Sequence, residues 1–433
     1  MRDLVLGSSK PTLDVPRSRL LYIPKATRER HLYILGKTGI GKSTLISNLI
    51  HQDIKKNYAV ILFDAGDLAT SLVETLPQEI HDTRLMFFSV ESPIPYNPLV
   101  RVKDIERTVN EIYALLDQTT IEASATGVLT NRMKRLLSIA LRDHMEDQTP
   151  TLLSLANYLQ DNRLPLKGAM ALGEKEFNAT YDGVVDRLAP FTRDRRIRRI
   201  ISTHELDFDE IIDQRLVLIV SFSTLEKPLV RFLGTLLFQA LQSTIMDRSE
   251  DLRKDVAVYI DEFQDYIASP QSVQNFQRLF NQGRRHKLSL TIAHQDFGSV
   301  DQKMTATIHS NVGSLVTFGC GVAEAAAMSK HVLAEPKELM FLPDYEFYCK
   351  LQQNYEMKTA PMVFKGEGYP GKKKLRLFNH QFRYQGQDPH DPFNPQTAFQ
   401  ESAKLKGNEP KRVNRARSIT AAQATPPKKQ SPK

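Results

Sequence analysis

A glycine-rich segment with a lysine and a serine carries the clearest chemical signal in this sequence. Residues 36–43 read Gly-Lys-Thr-Gly-Ile-Gly-Lys-Ser, which satisfies the phosphate-binding pattern G-x-x-x-x-G-K-[ST]. The backbone N–H groups of such a loop and the start of the following helix bind phosphates. We expect Lys42 to contact the β- and γ-phosphates of ATP and Ser43 to bind Mg²⁺. The residues assigned to this loop are Gly36, Lys37, Thr38, Gly39, Ile40, Gly41, Lys42, Ser43 and Thr44.

Two adjacent carboxylates supply the second part of a nucleotide site. Asp261 and Glu262 follow the apolar run Val256–Ile260. We predict that Asp261 binds Mg²⁺ through water and that Glu262 is the general base for the water that attacks the γ-phosphate. The alternative is that both acids only cap the helix that follows, where negative charge is favourable.

A glutamine and two arginines are further candidates. Gln295 ends another apolar run and can orient the attacking water or sense the γ-phosphate. Glutamines at strand ends are also commonly just solvated. Arg284 and Arg285 precede that run, where a guanidinium can reach the nucleotide of a neighbouring subunit as an arginine finger. Equally, these cations can simply favour the end of a helix.

Short apolar runs alternate with helical patterns around these motifs. The alternation predicts an α/β fold with a central, mainly parallel sheet. Strands are predicted at His31–Leu35, Ala59–Phe63, Leu85–Val90, Arg215–Ser221, Val256–Ile260, Leu288–Ala293 and Ser314–Phe318, with Tyr345–Leu351 as an edge strand. Helices are predicted at Lys42–His51, Ile105–Leu116, Leu129–Asp143, Leu152–Asp161, Tyr181–Ile200 and Leu229–Met246.

These patterns divide the 433 residues into four parts. We predict residues 1–103 and 211–365 as the two halves of a P-loop ATPase core, 104–210 as an all-α insertion, and 366–433 as a basic, largely disordered tail. Residues 365–433 contain 15 basic and five acidic residues, against 58 and 50 in the whole chain. The first 364 residues are therefore nearly neutral, so net charge does not identify a nucleic-acid-binding core.

Cysteines and apolar segments indicate the cellular setting. Cys320 and Cys349 lack metal-like spacing, which predicts buried thiols in a reducing compartment. The N-terminus has no apolar core of the kind found in signal peptides, and no apolar run approaches the ~20 residues of a membrane span. We therefore expect a cytoplasmic protein without a transmembrane segment of its own, able to lie peripheral to a membrane complex.

In combination, the motifs resemble those of the HerA–FtsK superfamily, in particular its branch of type IV secretion and conjugation coupling ATPases, which are TraG/TraD-like. The matching segments, in order, are His31–Leu45, Phe63–Leu68, Tyr96–Leu99, Ile260–Gln264 and Ala293–Gln295. The resemblance implies a RecA-like ATPase core that forms a hexamer and uses ATP to move DNA. It implies that Gln295 is a catalytic sensor and that Arg284 is the better arginine-finger candidate. Further implied partners are a nuclease, a relaxase or a membrane channel.

Departures from the family pattern leave alternatives open. Coupling proteins usually carry N-terminal transmembrane helices, which we do not expect here, and Gly319 stands where the family often has an arginine. Residues 261–265 also resemble the second motif of superfamily 1 helicases, although the Gly-Asp-x-x-Gln segment of those helicases is not found. A non-motor ATP-binding scaffold is the alternative from a different class, and the intact Asp261–Glu262 pair argues against it.

Contact with DNA is open at the level of individual residues. Five arginines lie between Arg193 and Arg199, where they can bind phosphates or form a solvated helical face. The basic tail can likewise bind DNA or only keep a disordered end soluble. Whether the DNA is single or double stranded stays open.

Overall fold

The protein is described from a computed structural model, over residues 3–9, 20–100, 105–118, 130–144, 150–266, 270–295, 302–353 and 356–365. The strands are β1 (Leu4–Ser9), β2 (Leu20–Ile23), β3 (Leu32–Leu35), β4 (Ala59–Asp64), β5 (Leu85–Phe88), β6 (Val217–Ser221), β7 (Val256–Ile260), β8 (Leu288–His294), β9 (Ser314–Thr317), β10 (Glu346–Gln353) and β11 (Glu356–Lys365).

The helices alternate with these strands at both ends of the described chain and follow one another in the middle. They are α1 (Lys25–Arg28), α2 (Lys42–Lys55), α3 (Leu68–Thr75), α4 (Gln78–Thr83), α5 (Ile105–Gln118), α6 (Asn131–His144), α7 (Leu152–Asp161), α8 (Arg163–Met170), α9 (Glu174–Arg193), α10 (Arg195–Ile201), α11 (Phe208–Asp213), α12 (Lys227–Asp247), α13 (Pro270–Gln282), α14 (Gln302–Asn311), α15 (Val322–Val332) and α16 (Pro336–Met340). Short 3-10 helices lie at Glu250–Leu252, Phe263–Tyr266 and Gly283–His286.

One eleven-stranded sheet organises these elements, in the order β2-β1-β11-β10-β9-β3-β8-β7-β4-β6-β5. The strands from β9 to β5 pair in parallel, whereas β2, β1, β11 and β10 form an antiparallel extension. The predicted α/β fold with a mainly parallel sheet is thus confirmed. In such open sheets, ligands bind at the edge where the parallel strands end.

Both faces of the central strands are covered by apolar side chains. Tyr33 and Phe63 lie in one hydrophobic cluster, which continues into the helices of the middle of the chain. Ile34 and Leu62, their neighbours in sequence, lie in a second cluster that includes α2 and α3. Burial on both faces explains why the strands read as continuous apolar runs rather than as alternating patterns.

Two expectations about elements are wrong. The segment predicted as an edge strand corresponds to β10, which lies inside the sheet between β9 and β11, because β11, β1 and β2 extend the sheet further. The helix predicted over Tyr181–Ile200 is two helices, α9 and α10. Asp194 stands between them and accepts hydrogen bonds from the backbone N–H groups of Arg196 and Ile197, at 2.8 Å and 3.4 Å, so it caps the second helix.

The described residues between β5 and β6 contain seven helices, α5 to α11, and no strand. They occupy the stretch predicted as an all-α insertion, but the four-part division of the chain stays a prediction. The tail lies outside the described residues. Within them, Cys320 and Cys349 are free and buried, as predicted, and burial raises the pKa of these thiols to about 11 and about 12.

Helix α12 differs from the expectation drawn from apolar run length. By length and composition it can cross a membrane, and within the described part of the chain it is the one helix that can. However, 72% of its most apolar window is buried inside the protein. The helix contributes residues such as Leu233 and Leu237 to the larger hydrophobic cluster, so in this fold its apolar character serves the core.

A buried histidine gives the stability of this fold a defined pH dependence. The His31 side chain is buried, and its Nδ1 accepts a hydrogen bond from the Leu290 backbone N–H at 3.2 Å. Burial lowers the pKa of His31 from 6.5 to about 4. Between these values the unfolded chain binds a proton that the folded chain excludes. Stability is therefore fully present above pH 6.5 and is lost as pH falls toward 4.

We expect this histidine to remove about 2 kcal/mol from the free energy of unfolding between pH 7.5 and pH 5. The matched variant is His31→Asn, because asparagine tolerates the φ of +68° at this position and offers an oxygen to the Leu290 N–H. Chemical denaturation at the two pH values measures the difference. Between the two pH values, the free energy of unfolding of the variant should fall by about 2 kcal/mol less than that of the wild type. Equal losses would contradict the lowered pKa of His31 as their cause.

Candidate active site

The loop between β3 and α2 lies at the edge where the parallel strands end, and its glycines are required by its path. Gly39 and Gly41 have φ values of 81° and 115°, in the region that strains any other residue. A Cβ on Gly36 would lie 2.7 Å from both Ile40 Cδ1 and Phe318 Cβ. The tight turn predicted from the pattern is therefore present, and its backbone leads directly into the N-terminus of α2.

Lys42 lies over this turn. Its side chain is buried, and Nζ donates hydrogen bonds to the carbonyl oxygens of Gly36 and Lys37, both at 2.7 Å. Burial lowers the pKa of Lys42, while the nearby carboxylates of Asp261 and Glu262 oppose that shift. The ammonium group is thus held inside the loop, close to the acids that end β7.

Ser43 and Asp261 form the candidate metal site. The Ser43 hydroxyl donates a hydrogen bond to Asp261 Oδ2 at 3.2 Å. Burial, and then the negative charges of Asp64 and Glu262, raise the pKa of Asp261 to about 7. A hydroxyl and a carboxylate in a negatively charged, buried position are the hard oxygen ligands that Mg²⁺ prefers. The donor set therefore fits Mg²⁺.

The described residues contain no cluster of three or more His, Cys, Asp or Glu that could hold a metal ion alone. At nucleotide sites Mg²⁺ is usually bound by one or two protein groups together with substrate phosphates and water.

Glu262 is held by two glutamines. Its Oε1 accepts a hydrogen bond from Gln295, and its Oε2 accepts one from Gln264 at 2.5 Å. Gln295 in turn accepts a hydrogen bond from the Thr38 hydroxyl at 2.7 Å. A continuous chain of hydrogen bonds thus runs from the phosphate-binding loop through Gln295 to Glu262.

The backbone of Glu262 is also unusual. Its φ is +53°, a conformation that costs energy for a residue with a side chain and that is concentrated at functional sites. The position is two residues after Ile260, the last residue of β7, so the chain turns away from the strand at the candidate base. Its carboxylate accepts hydrogen bonds from two glutamine side chains of the site.

Arg284 does not join this group within the chain. It is exposed and lies in the 3-10 helix before β8, whereas Gln295 follows the end of that strand. A seven-residue strand separates them by roughly 20 Å. Arg284 therefore lies where β8 begins, whereas the phosphate-binding loop of the same subunit lies where the parallel strands end. Its role as an arginine finger acting on another subunit stays a prediction.

Gly319, which stands where the related proteins often have an arginine, has a backbone role here. Its carbonyl oxygen accepts a hydrogen bond from the Lys37 N–H at 3.0 Å. A Cβ at this position would lie 3.3 Å from the carbonyl oxygen of Leu342. The glycine therefore leaves room for the Leu342 backbone while its own carbonyl group binds the phosphate-binding loop.

Two residues of this neighbourhood were not predicted. Asp64 ends β4, the strand next to β7, and its carboxylate accepts hydrogen bonds from the Gly66 and Ala69 N–H groups at 2.9 Å and 2.7 Å. Burial raises its pKa. Its place after an apolar run was a usable signal, because neighbouring parallel strands end side by side. Gln264 lies in the segment Ile260–Gln264 that matched the family, but its bond to Glu262 follows only from side-chain geometry.

Comparison with known proteins identifies the family. The family described as helicase HerA, central domain, matches residues 20–241, more than half of the chain. The chain belongs to this family. The predicted resemblance to HerA–FtsK ATPases is thereby confirmed for this HerA-family protein. Among curated proteins, no match to its sequence was found.

Solved structures share the fold of this HerA-family protein. The unbound monoclinic form of the bacterial conjugative coupling protein TrwBdeltaN70 has a TM-score of 0.64 and 14% identity, over 81% of this chain and 89% of that one. The plasmid coupling protein TrwB in complex with ADP and Mg²⁺ gives 0.63 and 15%, over 85% and 92%. VirB4 of Thermoanaerobacter pseudethanolicus gives 0.62 and 15%, over 85% and 96%. At these identities the likeness establishes the fold, and it confirms the predicted RecA-like core.

Proposed function

We propose that this HerA-family protein is an ATP-hydrolysing motor that assembles into a hexameric ring and moves DNA. The observation that carries the proposal is the hydrogen-bond chain from Thr38 through Gln295 to Glu262, which connects the phosphate-binding loop to a candidate base. A protein that only binds nucleotide does not need this base. The family description, which is that of a helicase, and the similarity to conjugative coupling proteins support DNA as the transported substrate.

Lys42 and the loop bind the phosphates of ATP in this proposal. The Lys42 ammonium exchanges its bonds to the Gly36 and Lys37 carbonyls for bonds to the β- and γ-phosphates. Ser43 and Asp261 would hold Mg²⁺, which neutralises phosphate charge when it is bound. The fold of TrwB, solved with ADP and Mg²⁺, is compatible with the same ligands here.

Glu262 removes a proton from the attacking water. Gln295 lies between Thr38 and Glu262, so a γ-phosphate that displaces the Thr38 hydroxyl would free the glutamine to orient that water. This exchange makes Gln295 a sensor of the γ-phosphate. The Gln295 side chain would thereby couple hydrolysis to the presence of the γ-phosphate.

Assembly into a ring would place the side of one subunit at which the parallel strands begin next to the nucleotide of the neighbouring subunit. Arg284 is exposed on that side, and we propose it as the finger that stabilises the transition state in trans. We further propose a cytoplasmic location, peripheral to a membrane complex, and service in conjugative transfer or related DNA processing with a nuclease, relaxase or channel partner.

The test is ATP turnover by the purified protein with and without DNA, together with its mass in solution in the presence of both. A motor should hydrolyse ATP faster with DNA and should form rings. Turnover that is independent of DNA, from a protein that still assembles with ATP, would contradict the motor and favour a nucleotide-controlled scaffold. Comparing single- and double-stranded DNA in the same assay identifies the preferred strand state.

The basic tail provides a separate prediction from the sequence. Residues 400–433 contain nine basic and two acidic residues. Deleting them should weaken DNA binding by about tenfold at about 50 mM salt and much less at about 200 mM, because contacts to phosphates are screened. Fluorescence anisotropy with labelled DNA measures the change. Basal ATP hydrolysis should stay intact, and its collapse would show that the tail belongs to the catalytic core.

A further inference from the structure

An exposed tyrosine lies against the phosphate-binding loop and has no part in the proposed hydrolysis. Tyr345 stands between α16 and β10, and its side chain is 45% exposed. Its backbone φ is +64°, which is a strained value for an aromatic residue. Such strain persists only where neighbouring structure fixes it, and it is concentrated at binding and catalytic sites.

Two contacts fix Tyr345 beside the loop. Its backbone N–H donates a hydrogen bond to the Ile40 carbonyl oxygen at 2.8 Å. A Cβ on Gly41 would lie 2.9 Å from Tyr345 Cδ1 and 3.2 Å from its Cα, so the ring packs directly against this glycine. Gly41 is the last residue before α2. The ring therefore borders the loop at the helix N-terminus that would receive the phosphates.

The segment that carries Tyr345 is held against the loop from a second side. Leu342 lies three residues earlier, and its carbonyl oxygen is 3.3 Å from the place of a Cβ on Gly319. Gly319 in turn accepts the hydrogen bond from the Lys37 N–H. Residues 342–345 thus contact the end of the loop directly and its beginning through Gly319, and these contacts hold the ring beside the loop.

We propose that Tyr345 is the platform on which the base of the bound nucleotide stacks. This inference rests on the nucleotide binding proposed above. A nucleotide held by its phosphates at the start of α2 must lay its ribose and base on the adjoining surface, and Tyr345 presents an exposed aromatic ring there. Aromatic rings stack on the face of any base. The ligands are therefore nucleoside di- and triphosphates, with the base adding affinity to the phosphates.

Removal of the ring tests the proposal with two probes, ADP and inorganic tripolyphosphate. The variant Tyr345→Asn removes the ring and keeps a residue type that tolerates positive φ. It should bind ADP about tenfold more weakly and tripolyphosphate as tightly as the wild type does. Tyr345→Phe should bind both as the wild type does. If Tyr345→Asn weakens both probes equally, the tyrosine only supports the loop, and the proposal is wrong.

The absence of tryptophan from the chain allows a direct optical test. In Tyr345→Trp, ADP should change the fluorescence of the single tryptophan, whereas tripolyphosphate should not. The matched control is Tyr22→Trp, because Tyr22 is 47% exposed but lies on β2, an edge strand three strands away from β10, and should respond to neither. A response of Tyr345→Trp to tripolyphosphate would indicate loop movement and overturn stacking. If the wild type binds neither probe, nucleotide binding itself is refuted.

Discussion

Replacing Glu262 with glutamine is expected to lower ATP turnover by about 10²–10⁴-fold and to leave ATP binding nearly unchanged. The substitution keeps the size of the side chain but removes its ability to accept a proton from water. Phosphate binding depends on Lys42 and the loop, which Glu262→Gln does not alter. Steady-state phosphate release measures turnover, and titration with a fluorescent ATP analogue measures binding.

The control for this prediction makes the same chemical change at the other end of the same strand. Glu250 is exposed and lies in the 3-10 helix before β7, so Glu250→Gln should leave turnover within about twofold of wild type. If the Glu262→Gln protein keeps most of its turnover, another residue is the general base. If Glu262→Gln loses ATP binding, the carboxylate instead maintains the structure of the phosphate-binding loop.

The hydrogen bonds around Glu262 also show how far a sequence can predict a site. The residues that come together at the sheet edge, from the loop to Asp261 and Gln295, were predictable because each follows an apolar run and parallel strands end side by side. The bond from Gln264 and the positive φ of Glu262 depend on side-chain and backbone conformation within one turn. No pattern of residue types specifies these.

The elements of the fold were likewise predictable only in part. Strand β7 was predicted with its exact bounds because a strand buried on both faces reads as a continuous apolar run. Strands β1, β2 and β11 of the antiparallel extension were not predicted, because β1 and β11 pair across more than 340 residues and nothing local marks such a partner. Helices α9 and α10 were merged because apolar periodicity continues across Asp194. Only the capping bonds of that residue reveal the break.

Removing Asp53 alone is expected to destabilise the protein by about 3–5 kcal/mol. Its carboxylate is fully buried, forms a two-bond ion pair with Arg28, and accepts a hydrogen bond from the Tyr259 hydroxyl at 2.6 Å. Burial alone would lower the pKa of Arg28, and the charge of Asp53 raises it above its ordinary value. In Asp53→Leu the buried guanidinium keeps its charge and its hydrogen bond to the Tyr259 hydroxyl but loses its anionic partner. Chemical denaturation measures the loss.

A double substitution separates charge from packing. In Arg28→Met combined with Asp53→Leu no charge is left buried, so most of the lost stability should return, since apolar replacements of buried ion pairs are often neutral. A double variant as unstable as Asp53→Leu would show that the hydrogen bond to Tyr259 dominates. As a surface control, Glu106→Gln breaks the exposed ion pair with Arg142 and should cost at most about 1 kcal/mol.

This buried group connects the core to the active site. Asp53 lies in α2, the helix that begins at Lys42, and Tyr259 lies in β7, two residues before Asp261. The Tyr259–Asp53 hydrogen bond therefore fixes the helix that follows the phosphate-binding loop to the strand that precedes the acids. In Asp53→Leu we expect ATP affinity to fall at temperatures below the unfolding transition, because the Ser43–Asp261 distance of 3.2 Å is no longer held. The double variant should recover stability more fully than ATP affinity.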